Sequence, residues 1–292
     1  MTAGIGIALA FIAMLAWGFG DFSIQRSTRK IGDWETLFVI TLFGMVILLP
    51  FVWTKLPALV SGITPADSIL IVAGVVLTVA AMLHFEGFKR GKLSVLEPLI
   101  SFEIPSASML AFFVLGDHVS WVQIVVIILL VACLFMVSFR ERRLTKKYLL
   151  EKGVIYLVCG AAFMGVSDFL LGWGSRVIDP IMANFILNVT MVVISGAIIL
   201  FTGKTFRLFR DTHDNPVLLL VMSVADNIGW VAYAVAMTLV PIAVATGLSE
   251  SSIVIAVLLG IFINKEKLQL HQKVGLVGAI AAAIALAAVT TV

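Results

Sequence analysis

Apolar runs of about 20 residues recur along the whole chain, and a helix of that length crosses a hydrocarbon core of about 30 Å. Hydrophobic residues fill 61% of the 292 positions and charged residues 13%, whereas soluble domains average about 45–50% and about 25%. A soluble domain of this length could not bury so much apolar surface. The sequence therefore predicts an all-α integral membrane protein that has the lipid bilayer as a partner.

Charged residues and Pro- or Gly-rich breaks divide these runs into ten predicted spans. The first five are 3–24, 35–53, 68–88, 93–115 and 120–139, and the second five are 151–174, 180–202, 215–239, 241–263 and 271–291. The hydrophilic segment 140–147 separates the two sets, so we divide the chain into a first repeat, 1–145, and a second repeat, 146–292. No basic region precedes the first run, which we expect to be a retained helix and not a signal peptide.

Local sequence similarity between the two halves indicates a duplication. The segment 18–22, Gly-Phe-Gly-Asp-Phe, resembles the segment 165–169, Gly-Val-Ser-Asp-Phe, which lies 147 positions later. Glu103 and Glu250 are separated by the same 147 positions. Because each half has an odd number of spans, the halves must enter the membrane from opposite faces. We therefore predict two inverted five-helix repeats, an arrangement common among secondary transporters.

The basic residues indicate how the chain is oriented in the membrane. All Lys and Arg residues except Lys55 and Arg176 fall in one set of alternate loops. The positive-inside rule places that side in the cytoplasm, which predicts a multi-pass protein of the cell membrane with both termini on the outer face. Because the basic residues flank apolar spans, the net charge of +3 reports orientation, and we expect no nucleic-acid partner.

Motifs typical of enzymes are missing from the sequence. The chain contains no HExxH, GxSxG or GxGxxG pattern. Cys133 and Cys159 fall inside predicted spans without CxxC or Cys/His spacing, so we expect buried thiols and not a disulfide or a metal site. The sequence thus predicts no catalytic residue, no metal and no cofactor, which disfavours an intramembrane enzyme.

Acidic residues inside the spans are the strongest indication of function. Beyond the first three residues of each span, the predicted spans hold seven acids and no Lys or Arg: Asp21, Glu86, Glu97, Glu103, Asp168, Asp226 and Glu250. A charge at the bilayer centre costs at least about 2.5–3.5 kcal/mol, so such groups normally face a protein interior or an aqueous path. An interior with acids and no bases favours a cation, a proton or an amine-bearing solute.

Depth in the membrane ranks these acids. Glu103 and Glu250 each lie about ten residues into a span, about 15 Å from either face at 1.5 Å per residue. We predict that both bind the solute or a proton. The alternative is a protonated carboxyl group that only bonds one helix to another.

Asp226, Trp230 and Tyr233 share one face of the eighth span, beside Asn227. An acid with two aromatic rings could enclose a cationic ligand, and we include these four residues in the candidate site. Interhelical packing explains the same pattern equally well.

Other polar residues of the spans are weaker candidates. Asn184 and Asn188 are four positions apart and share a helix face, from which they would orient a polar solute or bond helix to helix. Asp21 and Asp168 recur in both halves and, with Glu97, lie nearer the membrane faces. We assign these three acids to a pathway or a gate.

Three further residues receive structural assignments. Glu86 is expected to pair with Lys89 or Arg90, three and four positions later. His84 is expected to be packed. Trp17 is expected in the interfacial aromatic belt because it is near a span end, and the alternative is a wall of the cavity.

Short motifs near the ends of three spans connect the chain to a family. Trp17-Gly18 lies near the end of the first span, Glu103-Ile104-Pro105 begins a run that ends at Leu115-Gly116-Asp117, and Glu250 begins a run that ends at Lys265-Glu266. In these features, over essentially the whole chain, the sequence resembles the EamA family of the drug/metabolite transporter superfamily. The resemblance implies a ten-span carrier for small metabolites, often an exporter of amino acids or related compounds. The chain departs from the family pattern in having Asp117 where Glu is usual and Ser251-Ser252 in place of a Pro.

We therefore predict an alternating-access carrier that moves a small amine-bearing or zwitterionic solute around Glu103, Glu250 and Asp226. Proton coupling and export are both compatible with the sequence, and so is a passive facilitator or channel. An assembly or signalling protein is a further alternative, against which the buried acids count. A monomer and a homodimer both fit, since ten spans can enclose a path within one chain.

Overall fold

The computed structural model describes residues 2–90, 100–138, 152–264 and 268–291, which are predominantly helical. The first repeat contains α1 Thr2–Ile31, α2 Asp33–Val52, α3 Leu56–Ser61, α4 Pro65–Arg90, α5 Glu103–Leu115 and α6 Trp121–Ser138. The second repeat contains α7 Lys152–Val177, α8 Pro180–Phe201, α9 Thr205–Asp214, α10 Pro216–Leu239, α11 Ile242–Ser249, α12 Ser252–Asn264 and α13 Leu270–Thr291.

The predicted fold class is confirmed. Eight helical segments are long and apolar enough to cross a membrane, and α5 and α6 are shorter apolar helices at the fourth and fifth predicted spans. The beginning of the fourth span, 93–99, lies outside the described residues. The ninth span, expected as one helix over 241–263, is instead divided into α11 and α12.

Both chain termini lie on the same side of the molecule, which we call the terminal face. Gly6 of α1 packs so closely on the end of α10 that a Cβ atom there would lie 2.9 Å from Leu239 Cβ. At the other end of the chain, Thr290 of α13 accepts a hydrogen bond of 2.9 Å from Gln123 at the start of α6. Lys55 and Arg176 are also on this face, where they pair with Asp179 and Asp117 (3.2 and 2.9 Å).

The opposite side, which we call the basic face, holds the other ends of these helices. Lys30 at the end of α1 donates a hydrogen bond of 3.0 Å to Asn215, which precedes α10. Lys204, after α8, lies 3.5 Å from Glu35 at the start of α2. The helix ends therefore sort into two faces as the loop charges predict, with Lys55 and Arg176 opposite the Lys and Arg residues of these loops.

Helices of the two repeats pack in equivalent pairs. α1 packs along α10, and α7, the counterpart of α1, packs along α4, the counterpart of α10. α2 packs on its own counterpart α8, and α6 packs on α13. Exchanging the repeats reproduces these pairs, so a pseudo-twofold axis passes between them. α5 ends on the terminal face beside α11, whereas α12 leads to α13, which begins on the basic face, so the repeats are inverted.

Large apolar side chains cover the outside of the bundle. Phe113, Val193, Leu200 and Val277 are each more than 60% exposed, as expected for side chains that contact lipid tails. The expectation that both cysteines are buried is half wrong: Cys133 is buried, but Cys159 is exposed on α7. Both lie in apolar spans, and hydropathy alone does not distinguish the lipid-facing side of a helix from its interior side.

The start of α8 shows how local sequence anchors a helix on the terminal face. Asp179 Oδ1 accepts hydrogen bonds of 3.0 Å from the N–H groups of Ile181 and Met182, and Pro180 occupies the first helical turn. Partial burial alone would raise the pKa of the Asp179 carboxyl group. Hydrogen bonds from the two N–H groups and the interaction with Lys55 outweigh it and lower this pKa below its usual value.

Candidate solute-binding site

Two broken helices bring backbone and acidic groups to the middle of the molecule. In the first repeat, a turn at Ser101 and Phe102 precedes α5, which begins at Glu103. In the second repeat, α11 ends at Ser249, and Glu250 lies in the break before α12. Discontinuous helices of this kind form binding sites in transporters because their ends leave backbone groups available to a ligand.

Serine side chains on both sides of Glu250 bond to the backbone at this break. The hydroxyl groups of Ser249 and Ser251 donate to backbone oxygen atoms one turn earlier, at Ala245 and Gly247. Such bonds compete with the regular helical pattern. The Ser251 N–H also donates to Leu248 O at 3.2 Å, a bond that spans three residues instead of four.

Two glycines let α1 and α7 approach these breaks. A Cβ atom at Gly165 of α7 would lie 2.8 Å from Glu103 O, and one at Gly18 of α1 would lie 3.2 Å from Ser252 O. The glycines are 147 positions apart, but Glu103 and Ser252, which they contact, are 149 apart. Glu103 and Glu250 are therefore not at equivalent structural positions, despite the equal spacing in the sequence. Glu103 begins a helix, and its structural counterpart in the second repeat is Ser252. Glu250 lies two residues before Ser252.

Carboxyl groups from both repeats meet beside the breaks. Glu103, Asp168 and Glu250 are 3%, 2% and 9% exposed, and Glu103 and Glu250 interact electrostatically with Asp168 and with Asp21. We call these four residues the acid cluster. Glu103 Oε1 and Asp168 Oδ2 are buried and accept no hydrogen bond from any described residue. Buried acceptors without a partner are costly, so both atoms are suited to receive a hydrogen from a ligand.

Three aromatic rings lie on the terminal-face side of Asp21 and Asp226. The Trp17 ring is 5.2 Å, centroid to centroid, from both Trp230 and Tyr233, and the last two are 6.2 Å apart. Gly229 leaves room for Trp17, because a Cβ atom there would lie 2.5 Å from Trp17 Cδ1. Trp17 is 8% exposed, so the expectation that it belongs to the interfacial belt is wrong. Because Trp17 lies near the end of a predicted span, its sequence position fits both the membrane interface and the protein interior.

Asp226 and Tyr233, predicted to share a helix face with Trp230, differ in their contacts. The Asp226 carboxyl group interacts with the Trp230 side chain and, electrostatically, with Asp21. The Tyr233 hydroxyl group forms a hydrogen bond of 2.6 Å with Thr246 of α11. Asp226 therefore extends the acid cluster along α10, and Tyr233 connects α10 to the broken helix.

The predicted asparagines join helices to one another. Asn227 donates to Ile40 O of α2 (3.2 Å) and accepts a hydrogen bond of 3.5 Å from Asn188 of α8. Asn184 donates to Pro180 O of its own helix (2.8 Å) and to Trp230 O of α10 (3.4 Å). These contacts connect α2, α8 and α10 behind the aromatic rings. They correspond to the alternative in which Asn184 and Asn188 bond helix to helix.

Exposure along the helices differs on the two sides of the aromatic rings. On α1, Trp17 is buried, and Asp21, one turn closer to the basic face, is exposed. On α10, Asp226 is half-buried, and Tyr233, closer to the terminal face, is 0% exposed. Every residue of α11, on the terminal-face side, is buried. The acids on the basic-face side of the rings are thus exposed or half-buried, and α11 on the terminal-face side is fully buried.

An ion pair on the terminal face connects the ends of α5, α7 and α10 with the start of α11. Arg176 at the end of α7 donates two hydrogen bonds to Asp117 (2.9 and 3.1 Å) and others to Met237 O and Val240 O (2.7 and 3.2 Å). Asp117 in turn accepts a hydrogen bond of 2.8 Å from the Ile242 N–H at the start of α11. We call this network the Arg176 latch. Bidentate Arg–carboxylate pairs of this geometry fix the relative positions of the segments that they join.

His84 is buried, as expected for a packed side chain, and it contacts Glu103, which the sequence did not indicate. Its Nε2 lies 3.4 Å from Glu103 Oε1, and both side chains are buried. Helical spacing relates residues of one helix only, so it could not indicate a contact between α4 and α5. Glu97, a predicted pathway residue, lies outside the described residues.

Comparison with known proteins agrees with this architecture. The EamA-like transporter family matches residues 4–139 and 151–288, which correspond to the two repeats. A solved crystal structure with 12% sequence identity aligns over 98% of this chain and 97% of that chain with a TM-score of 0.73, a likeness that shows the fold alone. A search of curated proteins finds no match. The match over both repeats shows that this chain belongs to the EamA-like transporter family, within the drug/metabolite transporter superfamily of membrane transporters.

Proposed function

We propose that this member of the family is an alternating-access carrier for a small amine-bearing or zwitterionic metabolite, such as an amino acid. The observation that carries the proposal is the convergence of carboxyl groups from both repeats on two helix breaks, beside three aromatic rings. A solute bound there contacts elements of both repeats, so a movement of one repeat against the other can transfer it between the faces.

The chemistry of the site favours an ammonium group. Glu103 Oε1 and Asp168 Oδ2 are buried acceptors that an ammonium donor can satisfy. Trp17 and Trp230 add ring faces, which attract cations by about 2 kcal/mol or more where water is excluded. A phosphate or another anion would be repelled by the acid cluster. The carboxylate of a zwitterionic solute would instead lie at the start of α12, since the N-terminus of a helix attracts anions.

Proton coupling follows from the cost of burying like charges together. Glu103, Glu250 and Asp168 are all buried and interact with one another, so full ionisation in the absence of solute would be unfavourable. A proton or the solute cation relieves the same repulsion, so the two compete for one cluster. That competition is the basis of an exchange of solute for protons.

The basic face is assigned to the cytoplasm by the positive-inside rule, which places both termini outside the cell. A site open toward the basic face would then accept solute from the cytoplasm, and opening of the Arg176 latch would release it outside. This direction corresponds to export. The same orientation makes the cell membrane the expected location.

Transport by purified protein in liposomes tests the proposal. Amino acids and amines are screened for saturable uptake driven by an imposed pH gradient, with the wild type compared with Glu103→Gln and Glu250→Gln. Glu86→Gln is the matched control, because Glu86 undergoes the same change in a span but is not among the acids that interact with Glu103. We expect gradient-driven uptake in the wild type and the control, and its loss in both site variants.

Two results would contradict the proposal. Flux that ignores the gradient and survives both site substitutions would indicate a passive facilitator that does not use the acid cluster. Uptake of anions in preference to amines would refute the assigned solute class.

A further inference from the structure

His84 and Glu103 form the closest contact between a base and an acid that the structure records inside the bundle. The imidazole Nε2 lies 3.4 Å from Glu103 Oε1, and the two side chains are 9% and 4% exposed. His84 lies on α4, six residues before its end on the basic face, and Glu103 begins α5. The imidazole thus lies on the basic-face side of Glu103.

The opposing helix is shaped to accommodate the imidazole ring. Gly160 of α7 faces His84, and a Cβ atom at Gly160 would lie 2.9 Å from the His84 Nε2 atom. A larger residue at position 160 would therefore displace the ring from Glu103. The contact between His84 and Glu103 depends on three helices, α4, α5 and α7.

The helix of the second repeat that corresponds to α4 offers Glu250 no such base. The counterpart of α4 is α10, whose sequence contains no His, Lys or Arg. The groups that interact electrostatically with Glu250 are the acids Asp168 and Asp21. Glu103 and Glu250 also differ in position, since Glu103 begins a helix and Glu250 lies in a break.

We propose that the two glutamates have different roles: His84 and Glu103 share the proton that couples transport, and Glu250 with Asp168 binds the cationic group of the solute. This inference rests on the proposed function and assigns its two ligands to separate subsites. With one proton the pair of His84 and Glu103 is neutral overall. When an ammonium group binds beside Glu250, the pair releases that proton toward the basic face and becomes a single negative charge.

The proton balance closes when the solute has left. After release on the terminal face, a proton from that side binds the pair and restores neutrality, so one proton enters for each solute that leaves. For a solute with one positive charge, the exchange moves no net charge.

Other titratable groups surround the pair and bear on its response to pH. α8, which also packs on α4, contributes none. Among the described residues, Asp168 on α7, Glu250 at the break and Asp21 on α1 interact electrostatically with Glu103, and Glu86 lies two positions from His84 on another face of α4. The negative charges of these carboxyl groups favour a proton on the pair of His84 and Glu103. The positive charge of an incoming cation favours release of that proton.

Infrared difference spectroscopy tests the pair without any solute. Purified protein is titrated with acid, and the carbonyl stretch of protonated carboxyl groups is recorded for the wild type, Glu103→Gln and His84→Gln. His118→Gln is the matched control, since His118 is exposed in the loop after α5. We expect one band to vanish in Glu103→Gln and the same band to shift in His84→Gln only. The variant must first be shown to be folded by its thermal unfolding transition. An unchanged carboxyl band in folded His84→Gln would then refute the pairing of His84 with Glu103.

Transport then separates the two subsites. An imposed gradient of one pH unit corresponds to about 1.4 kcal/mol per proton. Exchange of one proton for one solute therefore drives about tenfold accumulation of the solute. We expect His84→Gln to abolish that accumulation but to retain solute counterflow, and Glu250→Gln to abolish both. Accumulation that persists in His84→Gln would overturn the coupling role, as would equal loss of counterflow in both variants. A wild type that moves no solute would refute the proposed function, and with it the coupling role, while the infrared result still decides whether the pair exists.

Discussion

Asp21 and Asp168 lie at equivalent positions of the two repeats, 147 residues apart, yet Asp21 is exposed and Asp168 is only 2% exposed. Asp21 is ten residues from the basic-face end of α1, and Asp168 is nine residues from the terminal-face end of α7. In an inverted repeat, movement to the opposite state exchanges the environments of equivalent residues. A state open toward the basic face, as the proposed carrier cycle requires, would have this difference in exposure.

This difference in exposure predicts the reactivity of introduced thiols. In a protein with Cys133→Ala and Cys159→Ala, we expect Asp21→Cys to react with a membrane-impermeant thiol reagent added at the basic face. Asp168→Cys should react at least about tenfold more slowly, because about 1.4 kcal/mol or more separates its buried and open states. Labelling is followed by mass spectrometry. Equal rates for the two cysteines would contradict an access path from the basic face.

The Arg176 latch predicts how the terminal face can be opened. Arg176→Gln removes the paired hydrogen bonds to Asp117, which should weaken the closed state by about 1–2 kcal/mol and raise the open population about 5–30-fold. We therefore expect faster labelling of Asp168→Cys from the terminal face. Arg207→Gln is the control, because it removes an Arg–Asp pair within α9 only. An unchanged labelling rate in Arg176→Gln would show that the latch does not hold this side closed.

The sequence predicts the spans well and their interruptions poorly. A span requires a contiguous apolar run, which is a local property, so ten spans and their order follow from hydropathy. The break at Glu250 does not, because residues 249–252 are a short polar stretch inside a longer apolar run, and hydropathy does not show the bonds that Ser249 and Ser251 form with the backbone. An equal spacing of 147 positions suggests that Glu103 matches Glu250, but the glycine contacts place Ser252 opposite Glu103.

Contacts between distant helices mark the limit of what the sequence indicates about the site. The acids of the cluster were identifiable, since an ionisable group deep in a span is rare whatever its partners. His84 and Trp17 were not, because their roles depend on α5 in one case and on α10 in the other. The Arg176 latch joins residues 59 and more positions apart, and only the fold brings them together.

The cap of α8 predicts a dependence of stability on pH. Because the pKa of Asp179 in the folded protein is lower than its usual value of 3.8, its stabilising effect is complete above that value and is lost as the pH falls through the folded pKa. Asp179→Ala should lower stability by about 1 kcal/mol at pH 7, the usual effect of an N-cap. We expect the difference in melting temperature between the wild type and Asp179→Ala to shrink below pH 4. A difference that is constant from pH 7 to pH 3 would indicate that the carboxylate is not the stabilising group.

The close contact of Gly165 with α5 predicts that a single methyl group at this position is destabilising. A Cβ atom at Gly165 would lie 2.8 Å from Glu103 O and 2.9 Å from Ala107 N, and backbone atoms cannot rotate away as a side chain can. Gly165→Ala should therefore cost about 1–3 kcal/mol, a fall of about 2–12 °C in melting temperature. Gly4→Ala on α1 is the control, because no atom lies within 4 Å of the added methyl group. It should be neutral or slightly stabilising, since Ala favours helices.

Transport by the same variants shows what the close approach of α7 to α5 does for the site. If the approach positions Glu103, Gly165→Ala should reduce gradient-driven uptake more than Gly18→Ala, which crowds the Ile255 side chain and Ser252 instead. The comparison is made at equal amounts of folded protein, measured by size-exclusion chromatography in detergent. Equal uptake in Gly165→Ala and Gly4→Ala would mean that α5 can shift by a methyl radius without disturbing Glu103. In that case, the position of Glu103 would be set by its contact with His84 rather than by the packing of α7.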